Sequence, residues 1–523
     1  MKTKADMLVH HATVYTVDKD FSRAEAFAVR DHRMVAVGTN SEILNNYDAP
    51  LLKDAGNKTI YPGFIDAHAH FYGYGKSLQY AGLNGAKSWD ETVQRVKDFS
   101  SENPFPWIQG RGWDQNDWEE PQFPDNTLLN NLFSRTPVLL TRVDGHAAVA
   151  NQAALEAAHI QPHQHIEGGE FQMKEGKLSG ILLDNAIDAV TEKIPPLPAE
   201  QKEKCLLDAQ QNCFAEGITS VHDCGLGKDM IDFIDHLQQT GKLKMRLYIM
   251  ISDEKENYDH YLKAGPYKTD HLNVCAFKLF SDGALGSRGA CMTAPYADRQ
   301  GWKGFFLKPE EYFQHIADLL ISSEFQMCTH AIGDAANRMM LRVYGNVLKG
   351  KNDRRWRIEH AQILHKDDIG LFGRYNIIPS VQPTHATSDM YWAEERLGKL
   401  RLENAYAYKA LLKQNGWIPL GTDFPVEDIS PMKTFYAAVT RRDDSGYPEN
   451  GFEIQQALTR EETLRGMTIW AAKAAFEENE KGSIEAGKFA DFVMMDRDIM
   501  NVPVEEILNA KVLETYVGGE KVF

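Results

Sequence analysis

The chain has no run of about 18 apolar residues, so the sequence offers no membrane-spanning helix of ordinary length. Its opening, "MKTKADMLVHHATVYTVD", carries no apolar core of the kind a secretory signal needs. Basic residues are in deficit: 57 Lys and Arg stand against 74 Asp and Glu, a net charge of −17. That balance disfavours nucleic acid or an anionic membrane as the main partner. Cysteine is sparse, with six in 523 residues, scattered and never spaced Cys-x-x-Cys. Zinc-knuckle and thioredoxin-like readings therefore fall away. The cysteines read as small buried hydrophobes, and a reducing cytoplasm is the expected compartment. Internal repeats and low-complexity tracts are also missing. What remains is a globular composition, 43% hydrophobic and 25% charged, on a chain long enough for a large core and a second unit.

Both chain ends read as short strands. "DMLVHHATVYTVD" and "AEAFAVRDHRMVAVG" alternate near the start, and "GSIEAGKFADFVMMDRD" and "VLETYVGGEKVF" do so near the finish. Residues 1–58 and 483–523 are expected to pair into one composite β-sandwich domain. Between them, eight short apolar runs alternate with helix-like stretches such as "PEEYFQHIADLLISS". The runs are "TIYPGFIDAHAH", "GITSVHD", "KMRLYIM", "NVCAFKLF", "FQMCTH", "RRWRIEH", "NIIPSVQ" and "WIPLGTD". Eight strand–helix units predict an α/β fold, a TIM-like (β/α)8 barrel over 59–482. The interval 84–210 is too long for one crossover and is expected to be an insertion after the first barrel strand.

The runs end on residues that share one chemistry. The first ends in His68 and His70, which strand alternation points to one side. The fourth carries Lys278, the fifth ends in His330, the sixth in His360 and the eighth in Asp423. In such a barrel the C-terminal strand ends form the active face, so these side chains are expected at one mouth. A single His-x-His means little, since His163 and His165 form another pair. The ordered set means more. Neutral imidazoles and a carboxylate suit zinc and similar metals. A lysine inside an apolar strand loses its charge readily, and its neutral amine adds carbon dioxide to give a carbamate with one oxygen for each of two metals. The bland alternative is an unmodified Lys278 paired with Asp282.

"PGFIDAHAH", "FKLFSDGALGSRGA", "THAIGDAANR", "RIEHAQ" and "GTDFPVE" resemble the amidohydrolase superfamily of metal-dependent hydrolases, and within it the YtcJ-like branch that includes N-substituted formamide deformylase. The resemblance implies that His68, His70 and Asp423 hold the more buried metal and His330 and His360 the more exposed one. Carboxylated Lys278 would bridge two divalent ions, zinc being the expected metal. It also implies a hydrolase of non-peptide carbon–nitrogen bonds in small molecules, acting through a metal-bridging hydroxide with Asp423 as general acid and base.

Candidates for substrate contact are His146 in "RVDGHAAVAN", Trp113 and Asp114 in "GRGWDQNDW", Arg288 in "GALGSRGA" and His385 in "VQPTHATSD". Arg288 would bind a substrate carboxylate, with a structural ion pair as its alternative. His222 ends the second strand and faces either the mouth or the core. Glu359 precedes His360 and, by strand alternation, is expected to point away from it. Three rival functions remain at this level: a one-metal heterocycle deaminase, an ester or lactone hydrolase, and a metal-free binding scaffold on the same fold. The expected partner is a small molecule, with neither nucleic acid nor membrane. The sequence leaves assembly open, a homodimer being the commonest outcome.

Overall fold

Seven of the eight apolar runs become parallel neighbours in one sheet. They are β1 (Phe64–Ala69), β2 (Ile218–Leu226), β3 (Arg246–Ser252), β4 (Leu272–Phe280), β5 (Gln326–Ala331), β6 (Arg357–His360) and β7 (Ile378–Ser380), paired in that order. The computed structural model describes residues 2–102 and 106–523. These strands read as nearly continuous apolar runs because both their faces are covered, one by the barrel interior and one by helices. The helix Glu310–Ile321 shows the pattern. It buries Phe313, Ile316, Ala317 and Leu320, a single stripe at helical spacing, and carries Glu310 and Glu311 in its first turn, where the helix dipole favours acid. Each of the larger buried side chains contributes about 1.5–3 kcal/mol.

The eighth run does not form a regular strand. Pro419 has no N–H to give a ladder, and the segment makes a single parallel bridge, Val381 to Leu420. It still closes the ring. Gly421 donates to the Val381 carbonyl at 3.1 Å, while Ala67 donates to Leu420 at 3.1 Å and Asp423 to His68 at 2.7 Å. A Cβ on Gly421 would lie 2.5 Å from the His68 nitrogen, so only glycine permits this approach to β1. Asp66 latches the seam: its carboxylate accepts from the Thr422 hydroxyl at 2.7 Å and from the backbone of His68 at 3.1 Å. The barrel is therefore seven strands and one irregular stave.

A second sheet lies between β1 and β2 in the chain. Its six strands run in the order Ala81–Gly82, Ile108–Trp113, Val138–Arg142, Ala147–Ala150, Lys177–Asp184 and Gly169–Lys174. The helix Ala199–Ala215 then returns to pack on Phe71–Ser77 beside the barrel. The chain ends build a two-stranded pair, Thr3–Lys4 with Tyr47–Asp48, and two larger sheets. One joins Arg33–Gly38, Ala26–Arg30, Met7–His10 and Leu51–Asp54; the other interleaves Thr13–Tyr15 and Thr59–Pro62 with Phe492–Met495 and Val512–Val517. Val9, Val14, Phe27, Ile60, Phe492 and Tyr516 pack between them. A buried bidentate pair ties this unit to β3, with Arg246 donating to Asp491 at 2.6 and 2.9 Å. All six cysteines are buried and unbridged, and among the described residues no helix is long and apolar enough to cross a membrane.

Candidate active site at the barrel mouth

The strand ends converge as their residue types require. His68 and His70 leave β1, Lys278 lies near the end of β4, His330 in β5 and His360 at the end of β6, while Asp423 follows the closing stave. His70, Lys278, His330, His360, Asp423 and His385 line one cavity of about 970 Å³. His68 sits beneath it, fully buried. The His360 ring lies 4.7 Å from His68 and 4.6 Å from His330. Asp423 Oδ1 is 3.5 Å from His68 Nε2 and 3.3 Å from His70 Nε2, and its Oδ2 is 3.6 Å from His385 Nε2. One donor atom from each of His68, His360 and Asp423 falls within 4.8 Å of the others.

Partners behind the imidazoles set which nitrogen is free. Glu359 accepts from His68 Nδ1, and Gln382 Oε1 lies 2.8 Å from His360 Nδ1. Each contact holds the proton on Nδ1 and leaves Nε2 with a lone pair. Burial pushes His68, His330 and His360 well below the usual histidine range, and Lys278 adds to this at all three. That direction favours the neutral imidazole, the form in which histidine can bind a metal. Burial acts to raise the Asp423 carboxyl, but His68, His70 and His385 outweigh it and hold the group well below the usual carboxylate range.

The fit to a metal is tested by what these atoms lack. His68 Nε2, Lys278 Nζ, His330 Nε2, His385 Nε2 and Asp423 Oδ1 are buried with no hydrogen-bond partner among the described residues. Five such atoms around one cavity would be costly in a finished apolar core. Nitrogen lone pairs facing a carboxylate oxygen across about 3.5 Å are the donor set a divalent ion would complete. Lys278 is not paired with Asp282. That acid accepts backbone N–H groups from Cys291, Ile332 and Gly333 at 2.8–3.0 Å, and burial pushes it up to about 7.

The inserted sheet supplies the facing wall. His146 lines the cavity with its ring 5.1 Å from His330, and its Nδ1 meets Asp184 at 2.6 Å. Burial opposes protonation of His146, but Asp184 prevails and raises it. Asp114 lines the same wall with its carboxylate committed to Arg142. Trp113 does not reach the cavity. It packs in the core of the inserted sheet beside Trp118 and Phe123, and its indole donates to the Leu140 carbonyl at 2.8 Å. Arg288 also lies off the cavity, ion-paired with Asp298 at 2.8 Å. His222 faces the barrel interior, 3.0 Å from Arg357.

Glu359 corrects the alternation argument. It points inward at His68 and is paired with buried Arg357, because His360 takes a left-handed φ of 71° and so turns toward the mouth as well. Arg111, Arg142, Asp144 and Asp184 line the cavity without having been singled out in the sequence. The strand-end rule finds two of them, since Arg142 and Asp184 close the strands Val138–Arg142 and Lys177–Asp184.

Comparison with known proteins adds to this geometry. The profile of the amidohydrolase family matches residues 52–523. Arabidopsis thaliana Protein LONG AFTER FAR-RED 3 is 31% identical over 99% of this chain and 92% of its own. The putative amidohydrolase YtcJ of Bacillus subtilis is 28% identical, covering 98% of each. N-substituted formamide deformylase of Arthrobacter pascens is 26% identical over 99% and 98%. Among solved structures, an uncharacterized metal-dependent hydrolase from Pyrococcus horikoshii superposes with a TM-score of 0.77 at 26% identity, covering 95% of this chain and 99% of that one.

Proposed function

The chain belongs to the amidohydrolase family, and from that premise we propose that it is a metal-dependent hydrolase cleaving an amide-type carbon–nitrogen bond, outside the peptide class, in a small molecule. The observation that carries this reading is the ring of buried donor atoms without partners at the barrel mouth. The likeness to a deformylase of N-substituted formamides over nearly the whole of both chains supports the bond type.

His68, His70 and Asp423 would hold one divalent ion and His330 and His360 a second. A metal bound there would polarise the substrate carbonyl and lower the pKa of a water molecule. Lys278 would carry the bridge: as the free amine, its Nζ would add to the carbon of carbon dioxide and lose one proton, leaving a carbamate anion. Asp423, ionised and facing the cavity, takes a proton from the attacking water and returns it to the leaving nitrogen. His146, braced by Asp184, presents its ring beside His330 and would hold the substrate carbonyl oxygen. A one-metal deaminase gives no role to Lys278, whose buried Nζ has no hydrogen-bond partner among the described residues and lies 4.3 Å from the Phe280 ring. The buried, unbridged cysteines support a cytoplasmic location.

The test is metal analysis of protein purified without chelator, joined to a turnover screen of N-formyl and N-acyl amines. One or two zinc-like ions per chain are expected, with turnover lost on chelation and restored by metal. Protein that declines zinc, manganese and cobalt would leave the binding-scaffold reading in its place.

A further inference from the structure

The cavity holds an arginine with nothing to do. Arg111 leaves the strand Ile108–Trp113 and lines the cavity together with His70 and Asp423. Its Nη2 donates to the Val143 carbonyl at 3.1 Å. Its Nε is buried with no partner, and no carboxylate comes within ion-pairing distance of the guanidinium among the described residues. Neighbouring arginines are spent. Arg142 donates to Gln115 at 2.8 Å and to Asp114 and Asp144, and Arg288 and Arg396 share Asp298. Gly145, at a left-handed φ of 79°, lies beside the guanidinium, and a Cβ there would be in ordinary contact with Nη2 at 3.5 Å. A guanidinium has five N–H donors in a rigid fork, and one bond leaves most of that fork open.

We infer that Arg111 is the anchor for an anionic group of the substrate, a carboxylate being the planar partner its free fork fits, so that the molecule hydrolysed is an N-acylated amino acid or similar amide bearing an acid. This rests on the hydrolase reading above and narrows it. A half-buried guanidinium without an adjacent counter-charge is unfavourable, and burial pulls Arg111 below the usual arginine range despite the more distant Asp144 and Asp423. A bound carboxylate removes that cost by supplying two acceptor oxygens to two donors. The role expected of Arg288 from its type therefore passes to Arg111, which has the same chemistry and faces the cavity.

The experiment uses full-length, zinc-loaded protein and paired probes, the N-formyl and N-acetyl derivatives of glycine and phenylalanine as free acids and as carboxamides. Wild type is expected to favour acids over carboxamides by at least about 30-fold in kcat/KM, mostly through KM. Arg111→Gln should erase that preference, and Arg111→Lys, which keeps charge and bulk, should restore part of it. A thermal-shift titration with N-acetylglycine and its carboxamide runs alongside, reading binding without turnover. The acid should stabilise wild type and not Arg111→Gln. Turnover with no preference for acids would overturn the anchor and leave the hydrolase intact. An acid-specific, Arg111-dependent shift with no turnover would keep the anchor and sink the hydrolase. An acid shift unchanged in Arg111→Gln, or no shift and no preference, would also overturn the anchor.

Discussion

The cavity has two walls of opposite character. On the barrel side, His68, His330, Lys278 and Asp423 stand with polar atoms buried and unpaired. On the inserted side, polar groups are spent on one another: Arg142 on Asp114 and Asp144, and His146 on Asp184. The strand ends leave donor atoms without hydrogen-bond partners among the described residues, while the inserted sheet spends its charges within itself. Arg111 breaks the pattern on its own wall, and for that reason it draws the inference about the substrate.

The comparison is broken most severely by Asp423→Asn. We expect kcat/KM to fall roughly 10³-fold while metal content, read by atomic absorption, stays at half or more of wild type. Turnover within tenfold of wild type would take proton transfer away from this residue. Next is Glu359→Gln, which leaves His68 without its charged brace and Arg357 buried without a counter-charge. Metal should bind about 10–100-fold more weakly, and unfolding by urea should show a loss of about 3 kcal/mol. If only stability moves, Glu359 braces the barrel and not the ligand.

Asp184→Asn tests the other wall. Losing a charged partner for His146 should lower kcat/KM roughly tenfold, about 1.4 kcal/mol, with metal content unchanged. A loss of metal would merge the two walls into one network. The smallest effect is expected at Asp389, a half-buried cavity acid accepting from Gln362 and Tyr406 at 2.9 and 2.7 Å. Burial raises it to about 7. Between about pH 4 and 7 the folded protein holds a proton that the unfolded chain has released, so this group erodes stability as pH rises, and the penalty is complete above 7. Asp389→Asn should match wild type near pH 4 and exceed it by about 1 kcal/mol at pH 8 in urea midpoints, solvent screening having reduced the full value.

The barrel wall is the part that sequence displays. A side chain at a strand end is marked by the apolar run before it, so the convergence of His68, His70, Lys278, His330, His360 and Asp423 can be read one run at a time. The inserted wall has no such marker. Arg142 matters through Asp114 and Asp144, and which arginine faces the cavity depends on packing that no spacing encodes. Arg288 and Arg111 are chemically alike in sequence, and only their surroundings separate them. Trp113 sits beside Asp114 in an aromatic loop, yet the strand turns its indole into the core. Glu359 misleads for a smaller reason, since the period of two fails where His360 adopts positive φ. The eighth stave is visible as an apolar run, but Pro419, which has no N–H to give, keeps it from becoming a regular strand.

That stave has a consequence for biosynthesis. β1 leaves the ribosome hundreds of residues ahead of the segment that completes its outer edge. Until Thr422 arrives, Asp66 lacks its latch and the edge of β1 is an open template for wrong pairings. Ring closure is therefore a late event in the life of the nascent chain, and it is the step chaperones would guard.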